Sequence, residues 1–310
     1  MTETEIPKLH DPWMIAVWPG MGHVAISAGY YLMAKLGMHM FAEYSADELI
    51  DISHVDVRGG LITPARLPRN RFFSWSDPKG KHDIVVFIGE AQPTIGKQQF
   101  CRKLIEFASS FGVQRVFTFA AMATHMRPDD PSRVFCAATD RDGLAELQKA
   151  KLHTLDDGNI GGLNGILVGA AAIQGLPGAC LLGEMPQIFA QLPYPKASLG
   201  VLRAFTKLAD IDLDLDELTQ QAEAADEQLG VLLSQMEAAL SQQENEEPSF
   251  PGESYEESQL SGEDEERIEK LFEIAGKDRS RAWELKQELD RLEVFADYED
   301  RFLDLFKKQD

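Results

Sequence analysis

Between residues 158 and 183 the chain carries no charged side chain. The run exceeds the roughly 20 apolar residues of a membrane-spanning helix. Gly161, Gly162, Gly165, Gly169, Gly175, Gly178 and Gly183 interrupt it, and Asn164 and Gln174 sit inside it. Gly175-Leu176-Pro177-Gly178 reads as a turn. The pattern therefore predicts a helix over 163–174, buried on most sides, and a short buried strand over 179–183. Further apolar runs predict strands at 13–18, 38–44, 83–89, 114–120 and 132–139. Helical spacing predicts helices at 25–36, 96–111 and 142–151, with a capping-box turn at 45–48. Residues 58–76, with Gly59-Gly60, Pro64 and Pro68, read as a loop or hairpin. Strands alternating with helices predict an α/β fold, a mostly parallel sheet sandwiched by helices.

Past Pro195 the periodicity turns helical throughout. Residues 197–208 are amphipathic. Leu215, Leu218, Ala222, Ala225, Leu229, Leu232, Met236 and Leu240 then hold an a/d seam for several heptads. Such a seam suits a helix lying on its own domain or a coiled-coil contact between subunits, and both readings stand. Residues 242–262 are rich in Glu, Ser, Pro and Gly and read as a linker. Helices are expected at 262–275 and, with Leu285, Leu289, Leu292, Phe295, Phe302 and Phe306 on one face, at 280–307. The expected organisation is a core over 1–244 that includes the heptad helix 213–241, an acidic linker 245–261, and a helical C-terminal hairpin 262–310. That hairpin docks on the domain or on a neighbour.

The net charge of −21 changes the picture because it is uneven. Residues 1–210 hold 21 acids and 20 bases, leaving 30 acids and 10 bases for 211–310. No Lys or Arg occurs between Asp210 and Glu266. An acidic surface of this kind excludes a nucleic-acid partner and an anionic membrane surface; it is a solubilising surface or a docking surface for a basic partner. The N-terminal MTETEIPKLH has no basic or apolar signal region. Cys101, Cys136 and Cys180 lie far apart with no metal spacing, so buried reduced thiols and a cytoplasmic location are expected.

The candidate chemistry is sparse. Gly20-Met21-Gly22-His23-Val24-Ala25 follows a strand and opens a helix, and Glu43 comes about 20 residues later, which satisfies the loose dinucleotide fingerprint. The alternative is a tight turn that needs glycine for its backbone. Glu90 and Glu184 each end a strand, where sites gather in open parallel sheets, with Asn164 near them. Two converging carboxylates would do acid–base work or hold a metal; separately, each would cap a helix or pair with an arginine. Neither His23 nor His125 has a partner at metal-ligand spacing, and the G-x-S-x-G and P-loop patterns are missing from the sequence. No metal and no cofactor is expected.

WPGMGHVAISAGYYLMAKLG, IVVFIGEAQP, GVQRVFTFAA, GNIGGLNGILVGAAAIQGLPGACLLGEMP and IDLDLDELTQQA occur here in that order. Over about residues 12–240 the chain resembles the family named after the second proteasome assembly chaperone, in its prokaryotic branch. The resemblance implies a phosphorylase/hydrolase-like α/β sandwich, homo-oligomers and protein-binding roles. The ending Phe306-Lys307-Lys308-Gln309-Asp310 departs from the hydrophobic-Tyr-any tail of some proteasome-docking chains. Two functions are thus expected. One is a non-enzymatic, oligomerising protein-binding or assembly factor working through Leu215, Leu218, Leu229, Leu232, Met236 and Leu240. The other is an enzyme or nucleotide-like small-molecule binder at Gly20, Gly22, Glu90, Asn164 and Glu184.

Overall fold

A computed structural model describes residues 7–50, 55–63, 66–243, 262–292 and 294–307. Its elements in chain order are β1 (Trp13–Val17), α1 (Val24–Lys35), β2 (His39–Glu43), β3 (Asp56–Arg58), β4 (Leu61–Thr63), β5 (Asn70–Trp75), β6 (Ile84–Gly89), α2 (Lys97–Ser110), β7 (Arg115–Thr124), β8 (Val134–Ala138), α3 (Arg141–Lys149), β9 (His153–Thr154), α4 (Gly162–Ile173), β10 (Gly178–Pro186), α5 (Pro195–Ala209), α6 (Asp216–Gln243), α7 (Gly262–Lys277), α8 (Ala282–Arg291) and α9 (Phe295–Asp304). Eight strands form one sheet in the order β2-β5-β6-β1-β7-β10-β8-β9, and β3 and β4 form a separate hairpin. The four central strands β6, β1, β7 and β10 are parallel; β5 runs antiparallel to β6, and β8 antiparallel to β10.

The continuous apolar runs are the strands buried on both faces. Ile15 and Val17 of β1 face a layer containing α1 and α5, while Met14 and Ala16 face α2 and α4. The uncharged run of the sequence becomes α4 and β10, joined by a turn in which Gly175 takes φ +72°. Gly183 lets α5 approach: a Cβ there would lie 2.5 Å from the Ala197 carbonyl oxygen.

Three expectations shift. Asn70–Trp75, within the stretch read as a loop or hairpin, is β5, held between β2 and β6. β7 and β10 run on to Thr124 and Pro186, because their parallel pairing carries both beyond the apolar pattern. The single last helix breaks at Leu292 into α8 and α9, with Val294 N–H closing on Leu289 O at 3.0 Å. No Gly or Pro marks that break. It lets Trp283 of α8 and Phe295 of α9 both reach α1, onto Tyr31 and Tyr30. The acidic linker lies outside the described residues. All three cysteines are buried and free of disulfides.

Candidate docking surface and the carboxyl end of the sheet

Glu90 follows β6 and is buried among arginines. Its carboxylate accepts from Arg69 N–H at 2.8 Å and pairs with Arg66 and Arg71. Arg71, itself fully buried, also meets Asp300 of α9, and Arg69 grips Glu43 through Nε and Nη2 at 2.6 and 2.7 Å. The Arg69 guanidinium holds the Glu43 carboxyl below the usual carboxylate range. Glu43 is therefore an arginine partner at the sheet edge, separated from β1 by β5 and β6.

Glu184 sits near the end of β10 and is clamped from β7 and the start of β8. Thr124 Oγ1 donates at 2.9 Å, Arg133 N–H at 3.2 Å and Arg133 Nε at 2.7 Å. Arg133 Nη2 donates as well, and these hydrogen bonds keep the Glu184 carboxyl below its ordinary range. β1 and β7 lie between the strands carrying Glu90 and Glu184. Three strand spacings put those two strands about 14 Å apart, and each carboxylate is held by its own arginines, so the structure does not pair them.

The glycine loop after β1 is committed to its own fold. Gly22 N–H donates to Ala190 O at 2.9 Å, His23 N–H to Gly20 O at 3.0 Å, and Val24 N–H to Met21 O. Gly22 has φ +60°, and a Cβ there would meet Met185 Sδ at 2.6 Å. Three N–H groups that would face a phosphate thus close a turn that locks the β10–α5 connection. Asn164 O accepts from Thr118 Oγ1 at 3.0 Å, and its buried Oδ1 has no partner among the described residues.

The heptad seam divides in two. Leu218, Ala222, Leu229 and Leu233 are buried and Leu215 half-buried against the layer that contains α5. Beyond Leu233 every residue from 234 to 239 is exposed. Val231 is 60% exposed, and Leu232 and Met236 are each 38% exposed, in spite of their apolar side chains. The Leu240 side chain lies outside those described. Arg127 pairs with Glu237 at 2.9 Å and also lines a groove of about 880 Å³ with Pro128, Gly230, Val231, Leu233 and Ala238.

The sequence profile of the PAC2 family matches residues 14–233, spanning the sheet and most of α6. The chain belongs to the PAC2 family. Its structure is similar to that of PbaB, an archaeal proteasome activator from Pyrococcus furiosus. That match has TM-score 0.63 and 25% identity, and covers 76% of this chain and 97% of that one. A PAC2 family protein from Streptomyces avermitilis gives TM-score 0.61 and 27% identity, covering 73% and 95%. An uncharacterized protein of Methanocaldococcus jannaschii is 25% identical over 226 residues, 72% of this chain and 83% of its own.

Sequence reasoning missed the Arg66–Arg69–Arg71 trio with Asp300, although the R-x-x-R-x-R spacing in a stretch read as loop was a signal. The hairpin alternative read around Gly59-Gly60 is met by β3–β4, but its exposure of Val57, Leu61 and Ile62 was not foreseen. Exposed apolar clusters of this sort mark contact surfaces.

Proposed function

We propose that this PAC2 chain is a protein-binding assembly factor that associates through the distal half of α6, with itself or with a protein partner. The observation carrying this reading is the helix that continues to Gln243 past Leu233, the last buried residue among those whose side chains are described, with 234–239 all exposed. Helices gain most of their stability from packing an amphipathic face, and over 234–239 this helix buries no side chain. From residue 228 to 243 the only charge is Glu237, already opposite Arg127. Docking here therefore desolvates little charge in a chain of −21. PbaB, at 25% identity, is named an archaeal proteasome activator, which supports a protein partner. The small-molecule reading draws no support from convergent carboxylates, because Glu90 and Glu184 are each engaged by arginine.

The test is the double variant Leu232→Asp/Met236→Asp. Both positions are exposed, so the unfolding free energy of the protomer should change by less than about 0.5 kcal/mol. The mass in sedimentation velocity should fall, and any partner captured by wild type should be lost. Unchanged assembly and capture would overturn the proposal.

A further inference from the structure

Strands β1, β6 and β10 run in one direction, so the loops that follow them, 19–23, 91–96 and 187–194, lie at one end of the sheet. Hydrogen bonds join the three loops into one surface. Gly22 N–H donates to Ala190 O and Tyr194 N–H to Gly22 O, both at 2.9 Å, and Gln92 Nε2 donates to Pro19 O at 3.4 Å. The three loops contain no Asp, Glu, Lys or Arg, although 26% of the chain is charged. They expose Met21, Ile95, Ile188 and Leu192 instead, each between 41% and 62%. A clustered apolar surface without charge has the make-up of the centre of a protein interface.

Distal α6 stands beside the same end. α5 and α6 run antiparallel: Arg203 donates to Thr219 Oγ1 at 3.0 Å, and Lys196 pairs with Asp226 at 2.8 Å. Lys196 lies in the first turn of α5, directly after the β10 loop, so α6 passes the carboxyl end of the sheet at Asp226. Residues 227–243 run on from there for about 25 Å. With that helix in place the four loop residues are still exposed, so it does not cover the loops of its own chain.

We propose that distal α6 of one copy lies across the carboxyl-end loops of a second copy, whose own α6 lies across the loops of the first. This inference rests on the α6 reading and adds what that helix meets. Charge selects the occupant. Two chains of −21 repel wherever their acids face each other, so copies meet where acid is missing. The loops carry none, and residues 228–243 carry only Glu237, already paired with Arg127. Neither side strands an unpaired charge on contact. Leu232 and Met236, four residues apart and so on one side of the helix, meet Ile188 and Leu192. A twofold axis makes the contact twice.

The test compares the full chain carrying Ile188→Asp/Leu192→Asp with the Leu232→Asp/Met236→Asp chain in sedimentation velocity. Each alone should run as a monomer at concentrations where wild type is a dimer. An equimolar mixture of the two should regain a dimer, because the intact helix of the first docks on the intact loops of the second. With one contact of two restored, that dimer should be weaker than wild type. If Ile188→Asp/Leu192→Asp assembles like wild type, α6 associates without the loops; the inference is overturned and the α6 reading stands. If wild type is a monomer that holds a different protein through α6, the same division follows. A mixture that stays monomeric also overturns the inference. Normal assembly of Leu232→Asp/Met236→Asp overturns both. Should Ile188→Asp/Leu192→Asp melt early, Met21→Asp/Ile95→Asp takes its place in the same mixture.

Discussion

Glu184→Gln separates a structural carboxylate from a functional one. The wild-type carboxylate is 2% exposed and accepts from Thr124 Oγ1, Arg133 N, Arg133 Nε and Arg133 Nη2. Glutamine keeps one acceptor oxygen and turns an NH₂ towards donors, so about two charge-assisted bonds are lost. Each such bond contributes about 1.5–3 kcal/mol when buried, but the half-exposed Arg133 recovers water, and a net loss of about 2 kcal/mol follows. In a chain of this size that lowers the unfolding midpoint by about 4–8 °C. The effect has a pH signature. The folded carboxyl titrates below its ordinary value because of Arg133. Its stabilisation is therefore present at neutral pH and lost as pH falls through the folded pKa. Thermal unfolding of both proteins from pH 7 to pH 3 reads this directly: the midpoints should differ at pH 7 and converge in acid. Running the same melts against nucleotides, dinucleotides and divalent metals adds the functional arm. A variant that melts like wild type yet loses a wild-type ligand shift would refute the structural role and restore the small-molecule reading.

Two further predictions concern the same layer of the fold. Gly22→Ala forces a side chain into a φ of +60° and against Met185; it should cost about 1–3 kcal/mol in urea unfolding, and a neutral result would mean that the turn does not lock the β10–α5 connection. Burial raises the Glu299 carboxyl above its ordinary range, so its ionisation opposes folding as pH rises through that value. Glu299→Gln, which still accepts from Tyr30, should match wild type in mild acid and be the more stable at pH 8; denaturant midpoints at pH 5 and pH 8 check the sign.

The sheet was legible because its central strands are buried on both faces, and burial on both faces writes itself as continuous apolar sequence. DIVVFIG and GACLLG needed no partner to be recognised. β5 was not legible, because Asn70 and Arg71 open it and their polarity is satisfied only by tertiary neighbours, Arg71 by Glu90 and Asp300. The break between α8 and α9 was hidden for a similar reason. Leu285, Leu289, Leu292 and Phe295 keep helical spacing across it, and only docking on α1 demands the bend. The carboxylates at Glu90 and Glu184 could be placed at strand ends from sequence, but their arginine partners come from segments 19 and 51 residues away. Spacing along the chain does not encode such pairs.

The charge asymmetry takes on a different meaning once the surfaces are placed. An excess of acid in the last hundred residues suggests a basic partner, yet the docking face proposed on α6 does not present that acid. Distal α6 is nearly uncharged. The exposed acids Glu263, Glu265, Glu266, Glu269 and Glu273 lie instead on α7, the helix that packs on α8 and α9. Arg267, Arg291 and Arg301 pair within α7–α9, to Glu288, Asp264 and Glu269. Exposed pairs of this kind add little stability, so their physical effect is to leave the outer surface of α7 anionic and mutually repelling between copies. That surface keeps copies apart on its side, while neutral α6 stays free to meet a partner. Raising the salt concentration should screen the repulsion and favour contact between α7 surfaces, and should hardly alter association through α6. A strong salt dependence of the α6-mediated assembly, abolished by Leu232→Asp/Met236→Asp, would show that the acid acts at that face and would undo this division.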